Sequence, residues 1–203
     1  MSAYVNLQIK LKFVQAFVAM ALLGGAVSGC ASAVVGAGAT AGMAVLEDRT
    51  MEVIARDTTI ATKIRLNLVN AGEKYVTGIS VEVYESRVLM TGAVANDQMR
   101  AEAIRLSWKV ENVEDVLNEI QIADSGIKDL AKDTWITTQI TSKMTLDRDI
   151  LAINYNVETV NGVVYMIGLA QSQEELDRVI SHMRSISGVQ RIINHVRVKK
   201  ATS

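Results

Sequence analysis

His182, His195 and Cys30 are the only imidazoles and the only thiol in the 203-residue chain. They are the groups best suited to proton transfer, nucleophilic attack or soft-metal binding near neutral pH. Their surroundings give that chemistry little to work with. No HExxH, GxSxG, P-loop or CxxC spacing occurs. A lone cysteine cannot close an intramolecular disulfide. The acids are spread along the chain as solvated surfaces require. The expectation is a non-enzyme with no catalytic residues, no metal and no cofactor. The near-neutral balance, 21 Lys+Arg against 22 Asp+Glu, excludes a strongly basic nucleic-acid binder.

Binding chemistry is easier to find. Aromatics are only 4% of the chain, so each tryptophan counts. Trp135 stands among Lys128, Lys132, Gln139, Ser142 and Lys143. At the helical advance of 100° per residue these six fall within an arc of about 100°. Ile136, Ile140 and Met144 form a separate apolar stripe beside it. An aromatic ring flanked by lysines suits an anionic phospholipid surface. The ring sits at headgroup depth, and each lysine contributes up to about 1 kcal/mol. The other reading is that Trp135 packs against a neighbouring module or another protein. Trp108 is the second candidate for a protein contact.

These side chains are positioned by an internal repeat. An ungapped shift of the chain on itself lays 57–122 over 133–198. Asp57-Thr58 falls on Asp133-Thr134, Val81-Glu82 on Val157-Glu158, Gly92 on Gly168, and Asn118 on Asn194. Ile60, Ile64 and Leu68 fall on Ile136, Ile140 and Met144. The repeat also tests which side chains the fold needs. Trp135 falls on Thr59 and Trp108 on Arg184, so neither tryptophan is demanded by the core. Residues 133–200 carry eight basic and seven acidic side chains, against seven and ten at 57–122. The second copy is therefore the better match to an anionic surface.

Each copy reads as helix, hairpin, helix, strand. A first helix carries the i, i+4 apolar stripe, with two candidate starts in copy two: Asp133-Thr134, or an earlier one that takes 127–132 into the helix. Strands at 80–84 and 87–91 flank Glu85-Ser86, and strands at 156–160 and 163–167 flank Asn161-Gly162, a strong hairpin signal. Gly92 and Gly168 stand where the second strand ends, as structural glycines for a backbone without a Cβ. A second helix and a closing strand, 116–122 and 191–199, complete the unit. The expected fold class is α+β: two tandem αββαβ sandwiches. Each has a three-stranded mixed sheet and two helices on one face. Residues 47–122 form the first module, 123–130 the linker and 131–200 the second module.

The amino terminus has another character. Lys10 and Lys12 precede an apolar run from Phe13 to Ala26 and then small residues, the layout of a secretory signal peptide over 1–29. The run is shorter than the roughly 20 apolar residues of a membrane span. Val27-Ser28-Gly29-Cys30 resembles the bacterial lipobox, which implies acylation of Cys30. Residues 30–46 read as the lipidated amino terminus and a Gly/Ala-rich tether. Ala31 after the cysteine, by similarity to the enterobacterial sorting pattern, implies the outer membrane.

The αββαβ order, the hairpin glycine, the Asn118-Glu119-Ile120 run and Lys132-Asp133-Thr134-Trp135-Ile136-Thr137-Thr138 resemble the BON domain. Two such domains behind a lipobox resemble the dual-BON outer-membrane lipoproteins. The resemblance implies a periplasm-facing lipoprotein that binds phospholipid and supports outer-membrane integrity without catalysis. The alternative implied by its tryptophans is an interaction adaptor for another envelope protein.

Overall fold

The structure, a computed structural model, describes residues 47–123 and 129–200. Cys30, Lys128 and the amino-terminal segment lie outside them.

In the first module, α1 spans Met51–Ala71, a short α2 spans Glu73–Gly78, and β1 (Ile79–Tyr84) and β2 (Arg87–Val94) form a hairpin. Helix α3 (Asp97–Trp108) and strands β3 (Asp115–Asn118) and β4 (Gln121–Ile122) follow. In the second module, α4 spans Leu130–Leu146 and a 3-10 turn spans Ala152–Asn154. Strands β5 (Tyr155–Val160) and β6 (Val163–Ala170), helix α5 (Gln173–Arg184) and strand β7 (Arg191–Val198) complete it. Each sheet is mixed. The hairpin strands are antiparallel, and the closing strand runs parallel to the second hairpin strand.

Asp133 does not start its helix. Asp129 is the N-cap of α4, its carboxylate accepting from Lys132 N at 3.0 Å. Asp133 is 2% exposed and accepts from Asn161 N at 2.6 Å and Gly162 N at 2.8 Å, the two turn amides of the β5–β6 hairpin. Asp57 does the same for Glu85 N at 2.8 Å and Ser86 N at 2.9 Å. Both turns have positive φ at both central residues. Such turns leave two adjacent amides facing inward, and one carboxylate satisfies the pair. Glu85 and Ser86 can therefore turn the chain without the Asn-Gly pair.

Gly92 and Gly168 do not end their strands; β2 and β6 each continue two residues further. A Cβ on Gly92 would stand 2.1 Å from Gly78 O, and one on Gly168 would stand 2.1 Å from Asn154 O. The backbone entering the hairpin crosses too closely for any side chain. The repeated asparagines have a local task. Asn118 Oδ1 accepts from Ile120 N at 3.3 Å, and Asn194 Oδ1 accepts from Val196 N at 2.8 Å. In the first module Glu119 and Ile120 interrupt the closing strand, whereas β7 pairs with β6 over eight residues.

Helices cover one face of each sheet. Ile60, Ile64 and Leu68 pack on Val81, Val88 and Met90; Ile136, Ile140 and Met144 pack on Val164 and Met166. The opposite faces meet each other. Tyr84 and Leu89 form one buried cluster with Val160, Val163, Tyr165 and Ile167. β2 (RVLMTGAV) and β6 (VVYMIGLA) are thus covered on both faces, as near-continuous apolar strands require. The two modules share this sheet-on-sheet core, with the helices outermost.

Candidate functional site

Helix α4 carries most of the residues singled out from the sequence. Three of its hydroxyls are spent within the helix, since Thr134, Thr138 and Thr145 donate to the carbonyls four residues earlier, and Thr137 Oγ1 donates to Thr159 Oγ1 of β5 at 2.8 Å. Ile136, Ile140 and Met144 point into the core. On the outer face Lys132, Trp135, Ser142 and Lys143 are exposed and Gln139 is half-buried. Trp135 keeps 49% of its surface in solvent and takes no part in the cluster between the sheets. Lys143 Nζ donates to Ser185 Oγ at 3.0 Å, just past α5. The stem of Lys132 runs beside Gly188, where a Cβ would stand 3.0 Å from its Cε. The two lysines thus follow the flank of α4 nearest the α5–β7 turn, with Trp135 on the open side. Lys128 lies outside the described residues.

Leu146, at the last turn of α4, is 83% exposed and was not among the sequence candidates. The signal was available: eleven residues after Trp135, a helical position returns to within about 20° of it.

Each histidine is paired with a carboxylate. His182 Nε2 lies 2.7 Å from Asp147 Oδ2, and this bond, with the Asp149 backbone amide, holds the Asp147 carboxyl below the usual range. His195 Nε2 lies 2.9 Å from Glu119 Oε1, joining the modules. Among the described residues no group of three His, Cys, Asp or Glu side chains converges as a metal site would require. No described helix is long and apolar enough to cross a membrane.

Trp108, 52% exposed, borders a groove of about 460 Å³ with Ala101, Ile104 and Asn118. The charges around it are internally balanced, with Arg100 on Asp97 and Arg105 on Glu102.

The profile of the BON domain family matches residues 56–124 and 132–200, the two repeated modules. The chain belongs to the BON-domain family. Its tandem BON arrangement is that of DolP-type proteins. The chain is 32% identical to the outer membrane lipoprotein DolP of Haemophilus influenzae over 168 residues, covering 81% of this chain and 86% of that one. It is 30% identical over 146 residues to osmotically-inducible protein Y of Escherichia coli, covering 70% and 73%. It is 39% identical over 145 residues to an uncharacterized protein of Anaplasma centrale, covering 70% and 95%. In these terms α4 is the first helix of the second BON domain. The sheet-on-sheet core joins BON domain 1 to BON domain 2, and Trp135 projects from the far side of the second.

Proposed function

We propose that this is a lipid-anchored outer-membrane protein facing the periplasm that docks on anionic phospholipid through α4 of its second BON domain. It supports envelope integrity as a binding module, without catalysis. Cys30 is the acylated residue. The observation that carries the docking is Trp135, half-exposed on a lysine-flanked helix face at a position where the first domain holds Thr59. Similarity to a lipoprotein named for the outer membrane supports the location.

Two measurements test this reading. Cys30→Ser should leave an unprocessed precursor without palmitate label; normal labelling of that variant removes the anchor. For docking, the full chain is placed in vesicles of equal phosphatidylglycerol and phosphatidylcholine. Trp108→Phe makes Trp135 its sole tryptophan. Brominated acyl chains should quench Trp135, less so at high salt, since screening weakens headgroup attraction. Lys132→Glu and Lys143→Glu should reduce the quenching, and Lys63→Glu on the first domain should not. Unquenched emission, with a Trp135→Ala variant that melts far lower, would make Trp135 a packing residue. The Trp108 groove then becomes the favoured surface, and the chain an adaptor for another envelope protein.

A further inference from the structure

We propose that the second BON domain carries a mooring site for the amino-terminal strap of its own chain. Asn154, Gln171 and Lys199 bind Asp48 there, and the strap, residues 47–49, clasps the two domains together. The inference stands apart from the lipid reading of α4 and uses none of its residues.

The strap leads into α1 of the first domain, yet Asp48 is held by the second. Asp48 N donates to Asn154 Oδ1 at 3.1 Å, and Asn154 Nδ2 donates back to Asp48 Oδ2 at 3.0 Å. Gln171 Nε2 donates to the same carboxylate oxygen. Lys199 Nζ donates to Asp48 Oδ1 at 2.5 Å and to Gln171 Oε1 at 3.3 Å. The three site residues stand just before β5, just after β6 and just after β7.

The next residue of the strap holds the first domain. Arg49 Nη1 donates to Asp57 Oδ2 at 2.9 Å and to Val83 O at 3.4 Å, and its guanidinium carbon stands 4.2 Å from the centroid of the Tyr84 ring. Tyr84 belongs to the buried cluster between the sheets. Two consecutive residues therefore grip opposite domains beside the sheet-on-sheet core. Glu47 is taken by Arg49 Nε at 2.7 Å, so Asp48 is the strap carboxylate that crosses.

The site is built for this occupant. Asn154 is wholly buried, and among the described residues Asp48 alone serves its side-chain amide. Without the strap that amide would be left unsatisfied in a buried place, which is costly. Nor does the fold ask for these residues. The repeat places Gly78 and Ala95 at the positions of Asn154 and Gln171, and the same shift puts Ala123 at Lys199. None of those three side chains can form a hydrogen bond. The second domain alone has a cation and two amides there, and bonds of this charge-assisted kind are the stronger ones.

The mooring shortens the path to the amino terminus. Residue 30 stands eighteen positions before Asp48, a reach of at most about 60 Å. An anchor at Cys30 is thereby tied to the second domain directly, and not only through the body of the first.

The test uses the full chain and a zero-length carbodiimide, which joins a carboxylate to an amine already in contact with it. Digestion and mass spectrometry should find Asp48 linked to Lys199 within one chain. Amide-resolved hydrogen exchange should find the Asp48 amide protected. Gln171→Ala with Lys199→Ala installs the first domain's residues at positions that are not buried, so the fold should survive. That variant, and Asp48→Ala in an otherwise unchanged chain, should exchange the amide of residue 48 at least tenfold faster, the scale of hydrogen bonds to a charged group. The amides of Ile64 and Ile140 should stay as slow as in the wild type. If Asp48 and Lys199 do not link, if the link joins two chains, or if both variants leave exchange at residue 48 unchanged, the mooring site is overturned.

Discussion

His195 Nε2 lies 2.9 Å from Glu119 Oε1, and the two residues occupy the same position in their respective repeats. A residue can touch its own repeat counterpart only near the operator that relates the copies. Other counterparts meet along the same line. Glu82, Leu89 and Leu117 form one cross-strand row, and Glu158, Tyr165 and Ile193 form the equivalent row. Leu89 and Tyr165 share the buried inter-sheet cluster, with Leu117 and Ile193 packed against it. The charge of Glu82 acts on Glu158. The domains therefore face each other about a pseudo-two-fold axis, an isologous contact built within one chain. Where identical modules would set like against like, the divergence to Glu119 and His195 makes one pair complementary.

That complementarity is measurable. Glu119→Gln and His195→Gln should each destabilise the chain modestly. A double-mutant cycle should return a coupling of roughly 0.5–1.5 kcal/mol. Leu89→Ala, which removes a side chain 1% exposed at the centre of the interface, should cost about 2–5 kcal/mol. Denaturant titration reads both. A cycle that returns no coupling would show that the Glu119–His195 contact does not join the domains energetically.

The other counterpart pair sets a pH dependence. Burial pushes the Glu158 carboxyl up to about 7, and the Glu82 and Asp133 carboxylates add to the rise. Glu82 is raised too, chiefly by burial and against the pull of Arg65 and Arg49; Asn156 Nδ2 donates to it at 3.1 Å. A group with a raised folded pKa keeps protons that the unfolded chain releases, so its contribution is lost as pH rises. The melting temperature should fall between about pH 5 and about pH 8. Glu158→Gln should flatten that slope and melt higher than wild type at the alkaline end. Equal slopes in the two proteins would remove Glu158 as its source.

The sequence reading and the structure part company at identifiable places. Period-four stripes such as Ile136, Ile140 and Met144 located the helices, because a helix must bury such a stripe. The ungapped repeat carried the strand order from one domain to the other. The sheet-on-sheet core was harder to read, although β2 and β6 are apolar at almost every position and so must be covered on both faces. Helix α2 was missed, since its EKYVTG has no apolar periodicity and none of its residues is buried. Of the two starts that the sequence leaves open in copy two, the earlier one holds: Asp129 caps α4, and Asp133-Thr134 only mimics a helix start. Buried carboxylates that hold a distant turn leave no local pattern. Leu146 stands two residues past Met144, where the core stripe ends, and its return to the direction of Trp135 is a signal that following the core stripe alone passes over.

The paired aspartates invite a direct test. Asp133→Ala withdraws the acceptor from Asn161 N and Gly162 N in a site 2% exposed. Leaving two inward-facing amides unsatisfied should cost about 2–4 kcal/mol. Asp133→Asn keeps one carbonyl oxygen and should cost less. Asp57→Ala should be at least as severe, because it also removes one of the two carboxylate partners of Arg49, whose Nη1 lies 2.9 Å from Asp57 Oδ2 and whose Nε donates to Glu47 at 2.7 Å. Chemical denaturation with hydrogen exchange at the turn amides distinguishes the cases. Unchanged protection of Asn161 and Gly162 in Asp133→Ala would refute the assignment.

Gly92→Ala and Gly168→Ala should be the most damaging small substitutions in the chain. The added Cβ would meet a carbonyl oxygen at 2.1 Å and a neighbouring Cα at 3.0 Å in both cases. These obstacles are backbone, so no rotamer change relieves them. The obstructing backbone at Asn154 is itself held, since its side chain exchanges hydrogen bonds with Asp48. Relief must come from displacing the start of β1 for Gly92 and of β5 for Gly168, which should cost about 3 kcal/mol or more. Gly162→Ala is the control: its φ of 76° is also unfavourable for a side chain, but its nearest obstacle at 2.7 Å is the flexible Gln190 amide. That variant should lose only about 1–2 kcal/mol, the cost of a left-handed residue. Denaturation of the three variants side by side should place Gly162→Ala well above the other two in stability. If all three lose the same amount, backbone conformation rather than close approach explains the glycines of the hairpins.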